Sequence, residues 1–79
     1  MRTTRYFLEQ VSRKRPYIKR KWCAQALRDP ARREVQPDGR IRHWIFVPEL
    51  GRYLRVVTLA DSITVHNAFL DRNFKEAGR

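Results

Sequence analysis

The chain has one cysteine, Cys23, in 79 residues. It can form no internal disulfide, and a lone thiol points to a reducing compartment. No apolar run approaches the roughly 18 residues needed to cross a bilayer. The N-terminus lacks an apolar h-region, which argues against secretion. The expected location is therefore cytoplasmic, with no membrane partner. Glycine is scarce: three residues, at positions 39, 51 and 78, are too dispersed to form a phosphate-cradling loop. Nucleophile elbows and paired carboxylates are missing as well. A metal site needs three or four ligands, and the two histidines and one thiol fall short of a metal-ligand pattern. No metal or cofactor is expected.

Acidic residues are the other shortage. Eight Asp and Glu stand against 18 Lys and Arg, a net charge of +10. Fourteen of the 18 are arginine, whose planar fork grips phosphate in bidentate fashion and stacks on bases. A small basic domain of this kind suits an anionic partner: nucleic acid first, an acidic protein second. Arg13, Lys14, Arg15, Lys19, Arg20 and Lys21 follow one another with no acid between them.

A chain of this length makes one small domain and buries only about 60–65% of its unfolded surface. Residues 1–15 read as a basic arm or as a short helix. In the helical reading Thr4 caps it, and Phe7, Leu8 and Val11 lie on one side. Residues 16–79 read as a single α+β domain. Pro16 suits a helix start, and Ile18, Trp22 and Ala26 set an amphipathic stripe through Tyr17 to Arg28. At that spacing Trp22 belongs to the core. Asp29-Pro30 stops the helix, because proline disfavours the α conformation in the residue before it. Arg33 to Gln36 is a short strand. Pro37-Asp38-Gly39, Pro48-Glu49-Leu50-Gly51 and Ala60-Asp61-Ser62 are turns, and they separate three strands over 40–47, 52–59 and 63–69. Asp71 to Arg79 reads as a frayed tail.

Pairing Val47 with Arg52 across the first loop sets Ile45 against Leu54 and His43 against Val56. Pairing Leu59 with Ile63 across the second sets Val56 against His66 and Arg55 against Asn67. Opposed residues share a face. One face then holds Ile41, His43, Ile45, Val47, Leu54, Val56, His66, Ala68 and Leu70, and it takes the helix. The other holds Arg40, Arg42, Trp44, Phe46, Tyr53, Arg55, Val57, Leu59, Val65, Asn67 and Phe69. Arginines among aromatics suit phosphates and unstacked bases. They also suit a second face covered by the N-terminal segment, with arginines snorkelling at its edge.

The helix ending in Asp29-Pro30, followed by DGRIRHW, GRYLRVV and TVHNAFLDRNF, resembles small bacterial proteins related in pattern to the BrnT-like toxins of the RelE superfamily. The resemblance runs from Pro16 to Phe74. It implies a RelE-like α+β fold, with one or two N-terminal helices packed on a three- to four-stranded antiparallel sheet. It implies an endoribonuclease toxin that cuts RNA and is neutralised by a small acidic antitoxin. Arg40, Arg42, Arg55, His66 and Arg72 match the residue types such toxins place around the sheet.

Three functions are open to these residues. In an RNA-cleaving enzyme, His66 and Arg55 are the catalytic pair, and histidine titrates in the useful range. In a non-catalytic RNA- or ribosome-binding module, Arg40, Arg42, Trp44, Tyr53, Arg55 and Arg72 form the binding surface, joined by Lys14, Arg15 and Lys19. In an adaptor, the same charges dock an acidic protein. A small sheet with open edges also allows a homodimer.

Overall fold

A computed structural model of the chain describes residues 1–75. The fold is α+β, with five strands in one mixed sheet: β1 (Arg2–Thr3), β2 (Arg32–Val35), β3 (Ile41–Val47), β4 (Arg52–Thr58) and β5 (Thr64–Leu70). The spatial order is β1-β5-β4-β3-β2. β2 to β5 form an antiparallel meander, whereas β1 adds to β5 in parallel, with Arg2 beside Thr64 and Thr3 beside Val65. The expectation of a purely antiparallel sheet of three or four strands is corrected on both counts. Arg2–Thr3 carries no strand pattern of its own, since two residues cannot show a period.

After β1 the chain turns into a helical segment. The Thr4 Oγ1 accepts the Phe7 N–H at 3.1 Å, and the Leu8 N–H bonds to the Thr4 carbonyl at 3.2 Å, so Thr4 caps this helix. The segment is π-helical over Phe7–Val11 and α-helical over Ser12–Lys14 (α1). Phe7 and Val11 are buried, while Leu8 stays exposed. The second helix, α2, spans Arg20–Arg28 with Lys19 as its N-cap. It starts later than Pro16, because Pro16 to Ile18 form a turn closed by the Ile18 N–H on the Arg15 carbonyl. It ends at Asp29, as the following proline requires.

Both helical segments lie on one side of the sheet. Phe7, Val11, Trp22, Cys23 and Ala26 pack with Ile45, Val47, Leu54, Val56, Val65 and Ala68 into one core. Cys23 is fully buried, and burial pushes its thiol up to about 11, which makes it a packing residue without reactivity. No helix among the described residues is long and apolar enough to cross a membrane.

The β3–β4 register is the expected one, from Val47↔Arg52 to His43↔Val56. The β4–β5 register is corrected: Val56 faces Ala68 and Arg55 faces Phe69. Two slips of one residue produce this. The turn pairs Leu59 with Thr64 instead of Ile63, and a bulge between Val57 and Thr58 sets one extra β5 residue opposite that step. The slips cancel beyond the bulge, so Asn67, Ala68, Phe69 and Leu70 keep their expected faces. They do not cancel at Val65, which enters the helix-side core, nor at His66, the extra residue between Val65 and Asn67.

Candidate nucleic-acid interface

Side chains on the sheet's second face alternate out from β2 to β5, with Arg32↔Trp44, Trp44↔Arg55 and Arg55↔Phe69 in successive pairings. The centre of this face is internally compensated. Arg55 donates from Nη2 and Nε to Asp71 Oδ2, and Trp44 Nε1 donates to the same oxygen. The Arg55 guanidinium also sits over Trp44 and Phe69, 5.4 and 4.8 Å from their ring centres. Burial opposes the Asp71 charge, but the bonds from Trp44 and Arg55 outweigh it and hold its pKa below the usual carboxylate value.

The segment after β5 covers this face. The Asp71 N–H bonds to the Tyr53 carbonyl. Phe74 stacks on Trp44 at 4.7 Å and meets Tyr53 edge-on at 4.8 Å. The reading of Asp71 to Arg79 as frayed is therefore corrected for Asp71 through Phe74, and its last four residues lie outside the described ones. The cover comes from this end of the chain, whereas the N-terminal segment belongs to the opposite face.

The residues expected to bind nucleic acid divide into two groups. Trp44 is buried at 4% exposure and Tyr53 is half-buried between Phe46 and Phe74, so neither ring is an open platform. Arg42 Nη1 is bonded to Glu34, which Arg32 also reaches, while Arg42 Nε is buried without a hydrogen-bond partner. Arg40 is exposed beside Asp38, at 4.0 Å. Lys14 is exposed at the end of α1, and Lys19 lies over the Trp22 ring at 5.5 Å.

Arg15 and Arg72 belong to the second group. With Arg52, Tyr17, Phe69 and Leu70 they line a cleft of about 370 Å³. It forms where β4 begins, β5 ends and the turn after α1 folds alongside. The Asp71 N–H bond to the Tyr53 carbonyl carries the chain past β5 alongside the start of β4, and Arg52 and Arg72 both line the cleft there. None of the three arginines has an acidic partner among the described residues. Like charges held together cost stability, and an anion in the cleft relieves that cost. Arg52 and Tyr17 were not expected in the interface. Arg52 reads as a strand-start residue and Tyr17 as the start of a helix, and only the tertiary fold joins them.

His66 and Arg55, the expected catalytic pair, are not brought together. His66 Nδ1 lies 3.1 Å from Thr4 Oγ1, and its ring stacks on Tyr6 at 4.8 Å. Arg55 has none of these partners; its own are Asp71, Trp44 and Phe69. Thr4 Oγ1 accepts from Phe7 and still has its hydrogen and a second lone pair to offer Nδ1, so this contact orients the ring in either neutral tautomer. Burial, with the nearby Arg40 charge, lowers the pKa of His66. The other histidine, His43, is buried at 1% exposure, with Nε2 against Thr58 Oγ1 at 3.0 Å. No group of three or more His, Cys, Asp or Glu side chains gathers as a metal site among the described residues.

Comparison with protein-family models, with curated proteins and with solved structures finds no match to this chain.

Proposed function

We propose that the protein is a non-catalytic nucleic-acid-binding module that grips a phosphate backbone at the open end of its sheet, with RNA as the leading ligand. The observation that carries this reading is the convergence of Arg15, Arg52 and Arg72 on one cleft without an acidic partner among the described residues. The net charge of +10 adds long-range attraction to any polyanion. The arginines at the centre of the sheet are held by Glu34 and Asp71, which assigns them to structure and leaves binding to the rim.

Titration of labelled RNA across a salt series tests the proposal. Three neutralised phosphates give a log–log slope of roughly −2 on a single strand, and each Arg→Gln change in the cleft removes about 0.7 of it. Binding that ignores salt, or that survives the triple Arg→Gln variant unchanged, excludes the reading. An acidic protein docking on the same charges would instead appear as one stoichiometric partner recovered without RNA.

A cleaving, RelE-like version has one observation in its favour: the hydroxyl of Thr4 orients the His66 ring through Nδ1, as a histidine acting in proton transfer requires. Induced expression then arrests growth, and His66→Ala relieves the arrest. Harmless expression of the wild-type chain removes this version.

A further inference from the structure

The cleft that holds the three arginines also carries an unused aromatic surface. Tyr17 is 50% exposed and has no ring partner among the described residues. It stands on the turn between α1 and α2 and lines the same cleft as Arg15, Arg52, Arg72, Phe69 and Leu70. The cleft's volume of about 370 Å³ lies in the range of small-ligand sites, roughly 300–1,000 Å³.

We infer that this cleft takes a single-stranded nucleic acid, with one unpaired base stacked on Tyr17 and its flanking phosphates on Arg15, Arg52 and Arg72. The inference rests on the nucleic-acid reading above and narrows its ligand class. Arginines alone read any phosphate backbone, single or double. An aromatic ring exposed among them adds something a duplex cannot use, because the flat faces of paired bases are turned inward against their neighbours. A strand whose bases are free offers a flat π face at every nucleotide. On the sheet's second face, two of the aromatics expected to bind bases are closed to such a role: Trp44 lies under Phe74, and Tyr53 is flanked by Phe46 and Phe74.

The test is fluorescence anisotropy of the whole protein with three labelled probes of equal charge: an oligouridylate, an oligothymidylate and a hairpin duplex. At least one single strand binds more tightly than the duplex. Tyr17→Ala weakens that binding at least about fivefold, the loss of one base stack, and leaves duplex binding unchanged, whereas Tyr17→Phe restores it. Duplex binding by the wild-type protein equal to or tighter than both single strands overturns the inference without touching the nucleic-acid reading. So does a Tyr17→Ala variant that melts like the wild type and binds as it does. Failure to bind any of the three probes removes the broader reading along with it.

Discussion

Arg55 gives two hydrogen bonds to one oxygen of Asp71, from Nη2 at 2.7 Å and Nε at 3.1 Å, and Trp44 Nε1 reaches the same oxygen at 3.0 Å. The residue that follows the last strand is thereby tied to the middle of the sheet's second face. The tie explains why these two cationic and aromatic side chains serve the fold.

Replacing Asp71 with Ala strands the half-buried Arg55 guanidinium and the buried Trp44 N–H together. The expected loss is about 2–4 kcal/mol in urea unfolding, and Asp71→Asn, which keeps an acceptor, loses less. The sign of the pH effect follows from its lowered pKa. Asp71 stabilises the fold above the ordinary carboxylate value of 3.8, and that contribution disappears as pH falls through the lower folded-state value.

His43 predicts a second pH effect, in a higher range. Burial, with the charge of Arg33 beside it, lowers its pKa from 6.5, so the folded protein holds it neutral. Its Nδ1 is buried without a partner, and a proton there has no acceptor. Stability is full above pH 6.5 and declines as pH falls from there toward the folded-state pKa, because the unfolded chain takes up the proton first. His66 is shifted in the same direction and adds to the decline. Thermal melts between about pH 7 and pH 5 therefore show a falling midpoint, and a shallower fall in His43→Gln.

Thr4→Ala removes the cap on the first helical segment and the hydroxyl against His66 in one step. The cost is about 1 kcal/mol, with Thr4→Ser close to the wild type. Nitrogen NMR of His66 separates the two roles, since its Nδ1 signal moves in the alanine variant and stays in place in the serine variant.

Phe74→Ala uncovers Trp44. Losing the stack costs about 0.5–1.5 kcal/mol beyond the lost burial, and tryptophan emission shifts to the red with greater acrylamide quenching. Trp22, the other tryptophan, is buried on the helix side and does not contribute to the change. An emission spectrum identical to the wild type would show that Phe74 does not shield Trp44.

Much of this fold is legible in the residues. The apolar stripe of α2, the turn at Pro37-Asp38-Gly39 and the Val47↔Arg52 pairing are local, and period and turn chemistry specify them. The bulge at His66 is different. It is decided by which of two neighbours, Val65 or His66, fills the core beneath Phe7 and Val11, and that competition has no local signature. The parallel β1 is equally silent, being two residues long. At the interface, the sequence points to arginine and aromatic chemistry, but it does not say which arginines are already paired. Glu34 lies eight residues from Arg42, and Asp71 sixteen from Arg55. Those acids separate the structural cations from the ones free to bind.

The pairing of Arg2 with Thr64 also imposes an order on assembly. The meander from β2 to β5 closes through neighbouring strands, so it can form while the first residues have no place to dock. The strand they join is made 62 residues later, the separation of Thr4 from His66, which is about 3–12 s of synthesis at 5–20 residues per second. Through that interval Phe7 and Val11 lack Val65 and Ala68 from their core, and the flank of β5 does not yet exist. The segment Arg2 to Val11 is thus made before the strand it docks on, and a chain stalled before Val65 lacks that part of the core that Phe7 and Val11 pack against.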